Sequence, residues 1–302
     1  MGERYIGVDV GGTKVAVAVL EDGAVTEHDR QPTELDSNEA LVEQLATMIA
    51  AAGPADAVGI GVPSIVDFAT GTARSSVNIP LAGVPLRHLL TERLDTPVYV
   101  DNDATVAALA EAFGDDNVAD VRHLVMFTVG TGVGGGIVIN GRIFRGATGA
   151  AGEVGHQLVA GDLADGAPPA TPFPQLGSLE RVASGRALDA IGRARSLPDH
   201  TVVDAARDGN LAAIDALRVL GERLGVGIAN AINVFDPDVV AIGGGISAAG
   251  NLLLEPAKAA AARFVVPGSG TSTEIRLSRY GPDAGMRGAA LLAGQELEEE
   301  QR

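Results

Sequence analysis

The sequence predicts an α/β protein built from two similarly patterned halves. Each half opens with an apolar strand, a glycine-rich turn and a second strand, at RYIGVDV–GGTK–VAVAVL (residues 4–20) and HLVMFTV–GTGVGGG–IVINGRIF (residues 123–144). Each half then continues into helix-patterned segments alternating with short apolar strands. Composition agrees: 302 residues, 46% hydrophobic and 20% charged, suit one large or two ordinary globular domains.

The elements follow in order. Residues 4–10 alternate toward a strand, and VAVAVL after GGTK is strand-like again. That turn therefore joins two antiparallel strands, whereas a P-loop or dinucleotide fingerprint runs from strand to helix. NEALVEQLATMIAAA (38–52) predicts an amphipathic helix behind an Asn or Ser cap. DAVGIGVPS (56–64) reads as a strand ending in a turn. PVYVDNDATVAALAEAF (97–113) reads as a strand, a polar break and a helix, with one acid of the break as N-cap. FGDDNVAD (113–120) looks like an exposed connection. In the second half, 123–129 is a strand, 130–136 a glycine turn and IVINGRIF a strand whose Asn140-Gly141 marks a hairpin turn. LGVGIANAINVF (224–235) predicts a buried helix, DPDVVAIGGG (236–245) a strand ending in glycines, and 284–300 the last helix. The expected domains are 1–110 with the C-terminal helix (about 284–302), a small α/β domain, and 111–283, a larger one.

Charge narrows the partners. The net charge is −17 and the only lysines are Lys14 and Lys258, which disfavours nucleic acid but not small anions, since backbone N–H groups bind phosphate unaided. With no cysteine, neither a disulfide nor a cysteine-based zinc site can form. No apolar run approaches the roughly 18 residues of a membrane span, and MGERYIGVDV lacks signal-peptide character. A soluble, cytoplasmic protein is expected.

Six stretches carry candidate chemistry. In DVGGTK (9–14) and GTGVGGG (130–136), small residues let the backbone approach a polyphosphate. Thr13 and Thr131 add hydroxyls, Lys14 a charge, and Asp9 a carboxylate for a metal-bound water. Either turn alone reads equally as an ordinary hairpin; their matched placement in both halves favours phosphate. GGGISAAG (243–250) reads as a tight strand-to-helix turn or as the lining of a nucleotide slot. VDNDATVAALAE (100–111) puts Asp101, Asn102 and Asp103 between strand and helix; a cap explains one of them, and a carboxylate there can take a proton from a hydroxyl nucleophile. In GEVGH (152–156) and GSLE (177–180), Glu153, His156 and Glu180 read equally as ligands of a polyhydroxyl compound or as a satisfied histidine and two solvated glutamates.

Together these pieces resemble the ROK family (repressors, open reading frames, kinases), and within it the ATP-dependent glucokinases. The resemblance spans nearly the whole chain, through DVGGTK, VDNDATVAALAE, GTGVGGGIVINGRIFRGATGAAGEVGH, PDVVAIGGGIS and GPDAGMRGAALLA. It implies the actin-like ATPase (ribonuclease-H-like) fold, two α/β domains flanking a closing cleft, and phosphorylation of a hexose at C6. Asp103 would be the catalytic base; Asn78, Asn102, Asp103, Glu153, His156 and Glu180 would bind the sugar. Asp9, Gly11, Gly12, Thr13, Lys14, Gly130, Thr131 and Gly132 would hold the phosphates of ATP with Mg²⁺ near Asp9, and Gly244 and Gly245 would line the adenosine site. Glucose is the first expected substrate; N-acetylmannosamine, N-acetylglucosamine, mannose and fructose are alternatives, as are polyphosphate as donor and a non-catalytic sugar-binding role. The family's repressors carry an N-terminal helix-turn-helix, which is not expected here ahead of so early a first strand. A homodimer or higher homo-oligomer is the family expectation.

One departure stands out. Family members typically carry CxCGxxGCxE after GEVGH, with the histidine completing a zinc site. Here the stretch is PATPFPQLGSLE, which keeps Glu180 and has no cysteine, so no structural zinc is expected. Pro168, Pro169, Pro172 and Pro174, with Phe173 and Leu176 as apolar anchors, are expected to stiffen the loop instead.

Overall fold

The computed structural model describes residues 3–76, 78–162, 164, 166, 167 and 170–302. In chain order these form β1 (Arg4–Val10), β2 (Lys14–Glu21), β3 (Ala24–Pro32), α1 (Asn38–Ala51), β4 (Ala57–Val62), β5 (Ser64–Asp67), β6 (Thr72–Ser76), α2 (Leu86–Leu94), β7 (Val98–Asn102) and α3 (Asp103–Glu111). There follow β8 (His123–Val129), β9 (Val133–Ile139), β10 (Arg142–Ile143), α4 (Leu179–Ala183), α5 (Gly185–Arg193), α6 (Val202–Arg207), α7 (Leu211–Phe235), β11 (Val239–Gly243), α8 (Asn251–Phe264), β12 (Glu274–Leu277) and α9 (Ala284–Glu300). The chain divides into two compact units: Met1–Arg122 with Gly136–Ala151 and Pro282–Arg302, and His123–Gly135 with Gly152–Gly281.

The first unit is built on the sheet β3-β2-β1-β4-β7. Strands β1, β4 and β7 are parallel, and β1, β2 and β3 are linked antiparallel through short turns. Their valines and isoleucines form one core with α1, in which Ile6, Val8, Val17, Ile60 and Val100 pack with Leu41, Leu45 and Met48. Ser37 caps α1, its hydroxyl accepting the Ala40 N–H at 3.1 Å. Helix α9 is buried without interruption from Ala284 to Gly294, so it has no solvent face in that stretch. It packs backbone to backbone on its neighbours. A Cβ on Gly7 would stand 2.0 Å from the Met286 carbonyl oxygen, and one on Gly59 1.8 Å from that of Ala289.

The other five-stranded sheet is ordered β10-β9-β8-β11-β12. Both sheets follow one plan: the first strand lies in the middle, its hairpin partners on one side and parallel strands on the other. The weak sequence repeat is thus a topological repeat. The expected hairpin at Asn140-Gly141 joins β9 to β10, with φ of 56° and 73° at the two residues, the left-handed pair of a type I′ turn.

Three sequence expectations are modified. The glycine turn of the second half covers only Gly130–Gly132; β9 already begins at Val133. Gly135 lies inside that strand because a Cβ there would meet Val154 Cγ2 at 2.5 Å and the Met126 carbonyl at 2.6 Å. The helix expected at 224–235 starts much earlier, at Leu211, where Asn210 Oδ1 accepts the Ala212 and Ala213 N–H groups. It ends at Asp236, in the left-handed conformation with φ 42°. Finally, the cap of α3 is Asn102 and not an acid: its Oδ1 accepts the Thr105 N–H at 3.0 Å.

Candidate active site

In the first unit, parallel pairing sets Asp9 of β1 beside Gly61 of β4, and Gly61 beside Asp101 of β7. All three lie at or next to the carboxyl ends of their strands, where open α/β sheets bind ligands. The three polar residues after β7 have different jobs. Asp101 is 2% exposed and accepts Arg145 Nε at 2.7 Å; Arg145 also donates to Glu296 at 2.8 Å, and its guanidinium lies 3.4 Å from the Phe68 ring centroid. Burial pushes the Asp101 carboxyl up, against the pull of Arg145. Asn102 caps α3 and donates from Nδ2 to the Ser64 carbonyl at 3.3 Å, which leaves one N–H and one lone pair for a ligand. Asp103 is the first residue of α3, its Oδ1 accepting the Ala104 N–H at 2.8 Å, and the positive helix end favours its charge.

Asp9 is held against the first turn of α9. A Cβ on Gly285 would come within 2.6 Å of Asp9 Cγ and 2.8 Å of both carboxylate oxygens. Burial pushes the Asp9 carboxyl up to about 7; the charge of Asp103 adds to the rise, and Lys14 and Arg30 oppose it. The glycine turn after Asp9 is closed by Gly11 N–H donating to the Lys14 carbonyl at 2.8 Å and braced by Thr33 Oγ1 donating to the Gly11 carbonyl at 2.7 Å. A Cβ on Gly12 would lie 3.4 Å from that of Asn78, which places this exposed asparagine at the turn. Thr13 and Lys14 are exposed.

In the second unit the turn Gly130–Gly132 follows β8. Gly185 N–H donates to the Gly130 carbonyl at 2.7 Å, and Glu180 Oε2 accepts the Val133 N–H at 2.9 Å. A Cβ on Gly132 would stand 2.4 Å from the same carboxylate oxygen. Glu180, read from sequence as a sugar ligand or a solvated glutamate, is therefore a prop of the turn. Gly244, at φ +81°, presses on the end of β8: a Cβ there would meet the Val129 carbonyl and N–H at 2.5 and 2.6 Å. By contrast, Gly130 and Gly245 have nothing within 4 Å of a Cβ position, and Thr131 is exposed, so their faces are open to a ligand.

Glu153 precedes the 3₁₀ turn Val154–His156 and His156 ends it, with His156 Nε2 3.7 Å from Glu153 Oε2. His156 Nδ1 is buried without a hydrogen-bond partner among the described residues. The ring stacks on Phe173, with centroids 4.8 Å apart and planes at 30°. The irregular segment after His156 is closed at its base by backbone. Val159 and Ala160 N–H groups both donate to the Gly177 carbonyl, at 2.9 and 3.1 Å, and Leu179 N–H donates to the Gln157 carbonyl at 2.9 Å. The expected apolar anchoring is corrected: Leu176 is 51% exposed and Phe173 69%, so Phe173 acts through its stack and neither residue through burial. Pro168 and Pro169 lie outside the described residues.

The sequence reading missed Arg145, Arg30, Thr33 and Gly285. Each acts on a predicted residue from far along the chain; Gly285 and Arg145 lie inside quoted motifs, but nothing in either motif marks the partner it meets. Among the described residues no group of three or more His, Asp or Glu side chains is arranged to hold a metal ion, and no helix is long and apolar enough to cross a membrane.

A glycine turn follows the central strand of each five-stranded sheet, the same plan used twice. The ROK family model matches residues 5–296, and the chain belongs to the ROK family. It is 34% identical to a glucokinase of Halalkalibacterium halodurans, over 98% of this chain and 97% of that one. It is 33% identical to an N-acetyl-D-glucosamine kinase of Escherichia coli O157:H7, over 95% and 98%. A ROK family glucokinase of Streptomyces griseus, solved in complex with glucose and AMPPNP, superposes with a TM-score of 0.79 at 31% identity, over 97% of this chain and 99% of that one. The fold is accordingly the actin-like ATPase fold of its ROK neighbours.

Proposed function

We propose that this chain is a sugar kinase that transfers the γ-phosphoryl group of ATP to the C6 hydroxyl of a hexose, with glucose as the substrate. The observation that carries this is the division of labour after β7. Asp101 is committed to Arg145 and Asn102 to the cap, while Asp103 stands at the positive end of α3 with its charge felt by Asp9. The full-length similarity to a glucokinase supports glucose. The similarity to the N-acetylglucosamine kinase supports an N-acetylhexosamine as the second reading.

The residues present fit a nucleotide: Gly130 and Gly245 offer open backbone, and Gly11–Lys14 offer N–H, hydroxyl and ammonium donors. MgATP supplies the phosphoryl group. Asp103 orients the attacking hydroxyl and takes its proton, while Asn78, Asn102, Glu153, His156 and Glu180 hold the other sugar hydroxyls. Gly11–Lys14 and Gly130–Gly132 hold the phosphates, Gly244 and Gly245 line the adenosine site, and Asp9 is the carboxylate available to hydrated Mg²⁺. As an ATP-consuming enzyme it acts in the cytoplasm, as a homodimer or higher homo-oligomer.

The test is MgATP-dependent ADP release with glucose, mannose, fructose and N-acetylhexosamines, for the wild type and Asp103→Asn. Loss of a general base costs about 10²- to 10⁴-fold in rate. Turnover on glucose that drops by that factor, with glucose binding kept, supports the reading; a fully active variant removes Asp103 from the role.

A further inference from the structure

Next to the Gly130–Gly132 turn, the second unit contains a hollow of about 330 Å³ whose lining includes Pro174, Glu180, Arg181, Ser184, Arg186 and Arg193. Its charge runs against that of the chain. Acidic residues outnumber lysine and arginine by 39 to 22 overall, yet here three arginines meet a single carboxylate. That carboxylate, Glu180, accepts the Val133 N–H and forms no ion pair with the three arginines, all of them among the described residues, and the Ser184 hydroxyl accepts the Ala187 N–H. Arg193 is paired with Asp199 at 2.6 Å. Arg181 and Arg186 make no ion pair and no side-chain hydrogen bond among the described residues. Elsewhere Arg30, Arg145, Arg195 and Arg218 pair with acids, and Arg122 and Arg223 donate to neutral oxygens. Two guanidinium groups left without an acid, on a hollow of small-ligand size, offer forked donors to an anion from solution.

We propose that this hollow binds a phosphate-bearing anion through Arg181 and Arg186. Phosphate matches the paired N–H donors of arginine, and the location suits it. Gly185 N–H donates to the Gly130 carbonyl and Glu180 accepts from Val133, so the helices that carry the arginines also brace the glycine turn. The bound phosphates belong either to the phosphoryl donor held at that turn or to a separate phosphorylated small molecule. The site does not depend on the hexose being the acceptor.

The experiment is calorimetric titration of inorganic tripolyphosphate into the full chain, the Arg181→Ala/Arg186→Ala double variant and an Arg186→Lys variant. Both arginines are exposed, so the variants keep the wild-type melting temperature. Saturable binding is expected, weakened at least ~10-fold in the double variant, as the loss of charge-assisted hydrogen bonds predicts. Arg186→Lys falls between, because it keeps the charge and loses the fork. A repeat with saturating AMPPNP and Mg²⁺ separates the sources: displacement assigns the hollow to the donor's phosphates, retention to a separate ligand. Absence of saturable binding, or equal affinity in the double variant, which would place tripolyphosphate on the glycine turns alone, overturns the proposal. Failure of the glucose assay leaves this titration unaffected, so the two readings fail separately.

Discussion

Gly285→Ala separates the needs of the helix from those of the site. By helix propensity alone, alanine improves the first turn of α9 by up to ~1 kcal/mol. The structure predicts the opposite for activity. The new methyl carbon would stand 2.6 Å from Asp9 Cγ and 2.8 Å from both carboxylate oxygens, about 1 Å inside ordinary contact. The atoms in the way belong to a side chain, so the fold survives by turning Asp9 aside. A displacement of about 1 Å at a reacting centre costs on the order of 10²-fold in rate. The expected variant folds, melts within a few degrees of wild type, and loses ~10²-fold in kcat/KM for MgATP. Its control is Gly288→Ala, whose methyl would fall 1.7 Å from the Val106 carbonyl oxygen, a backbone atom that cannot turn away. That variant is expected to unfold or aggregate. Full activity in Gly285→Ala would refute the claim that Asp9 must stay where α9 holds it.

Three further outcomes are expected. Arg145→Met leaves Asp101, 2% exposed, without its cation, and should cost ~3–5 kcal/mol in urea unfolding; Asp101→Asn should cost less, because Arg145 keeps Glu296. Asp9, raised to about 7 by burial and Asp103, favours folding when protonated. Its contribution is full below about pH 4, the unfolded value, and is lost as pH rises through about 7. The melting temperature of wild type should therefore fall relative to Asp9→Asn across that window, and parallel curves would contradict the assignment. Phe173→Ala removes the stack on His156 and should raise the glucose KM ~2- to 12-fold, the equivalent of ~0.5–1.5 kcal/mol for an aromatic pair, with kcat little changed. An unchanged KM would mean that the stack does not position His156.

Elements whose periodicity is local were legible in sequence. The first strand is Arg4–Val10 and the last helix Ala284–Glu300, both as read from pattern. The hairpin at Asn140-Gly141 was legible because a two-residue turn carries its own conformational demand. Strand β3, AVTEHDRQP, was not read, since its burial shows no clear alternation. The first half of α7 was missed because its cap, Asn210, stands in an unremarkable polar stretch.

At the candidate site, sequence alone determined which chemical groups are available: two glycine turns, a D-N-D run after a strand, two glutamates and a histidine at the edges of a cysteine-free loop. It also showed that no cysteine-based metal site could order that loop. Only the tertiary structure decided how those groups are used. Asp101 is distinguished from Asp103 by Arg145, 44 residues further on, and Glu180 becomes a prop of the glycine turn through Val133, 47 residues back. The loop after His156 is closed by backbone bonds to Gly177 and by a phenylalanine stack. The physical reason is that a propensity acts over a few neighbouring residues, whereas the role of a polar side chain is set by the partner that packing brings to it, and that partner is seldom close in sequence.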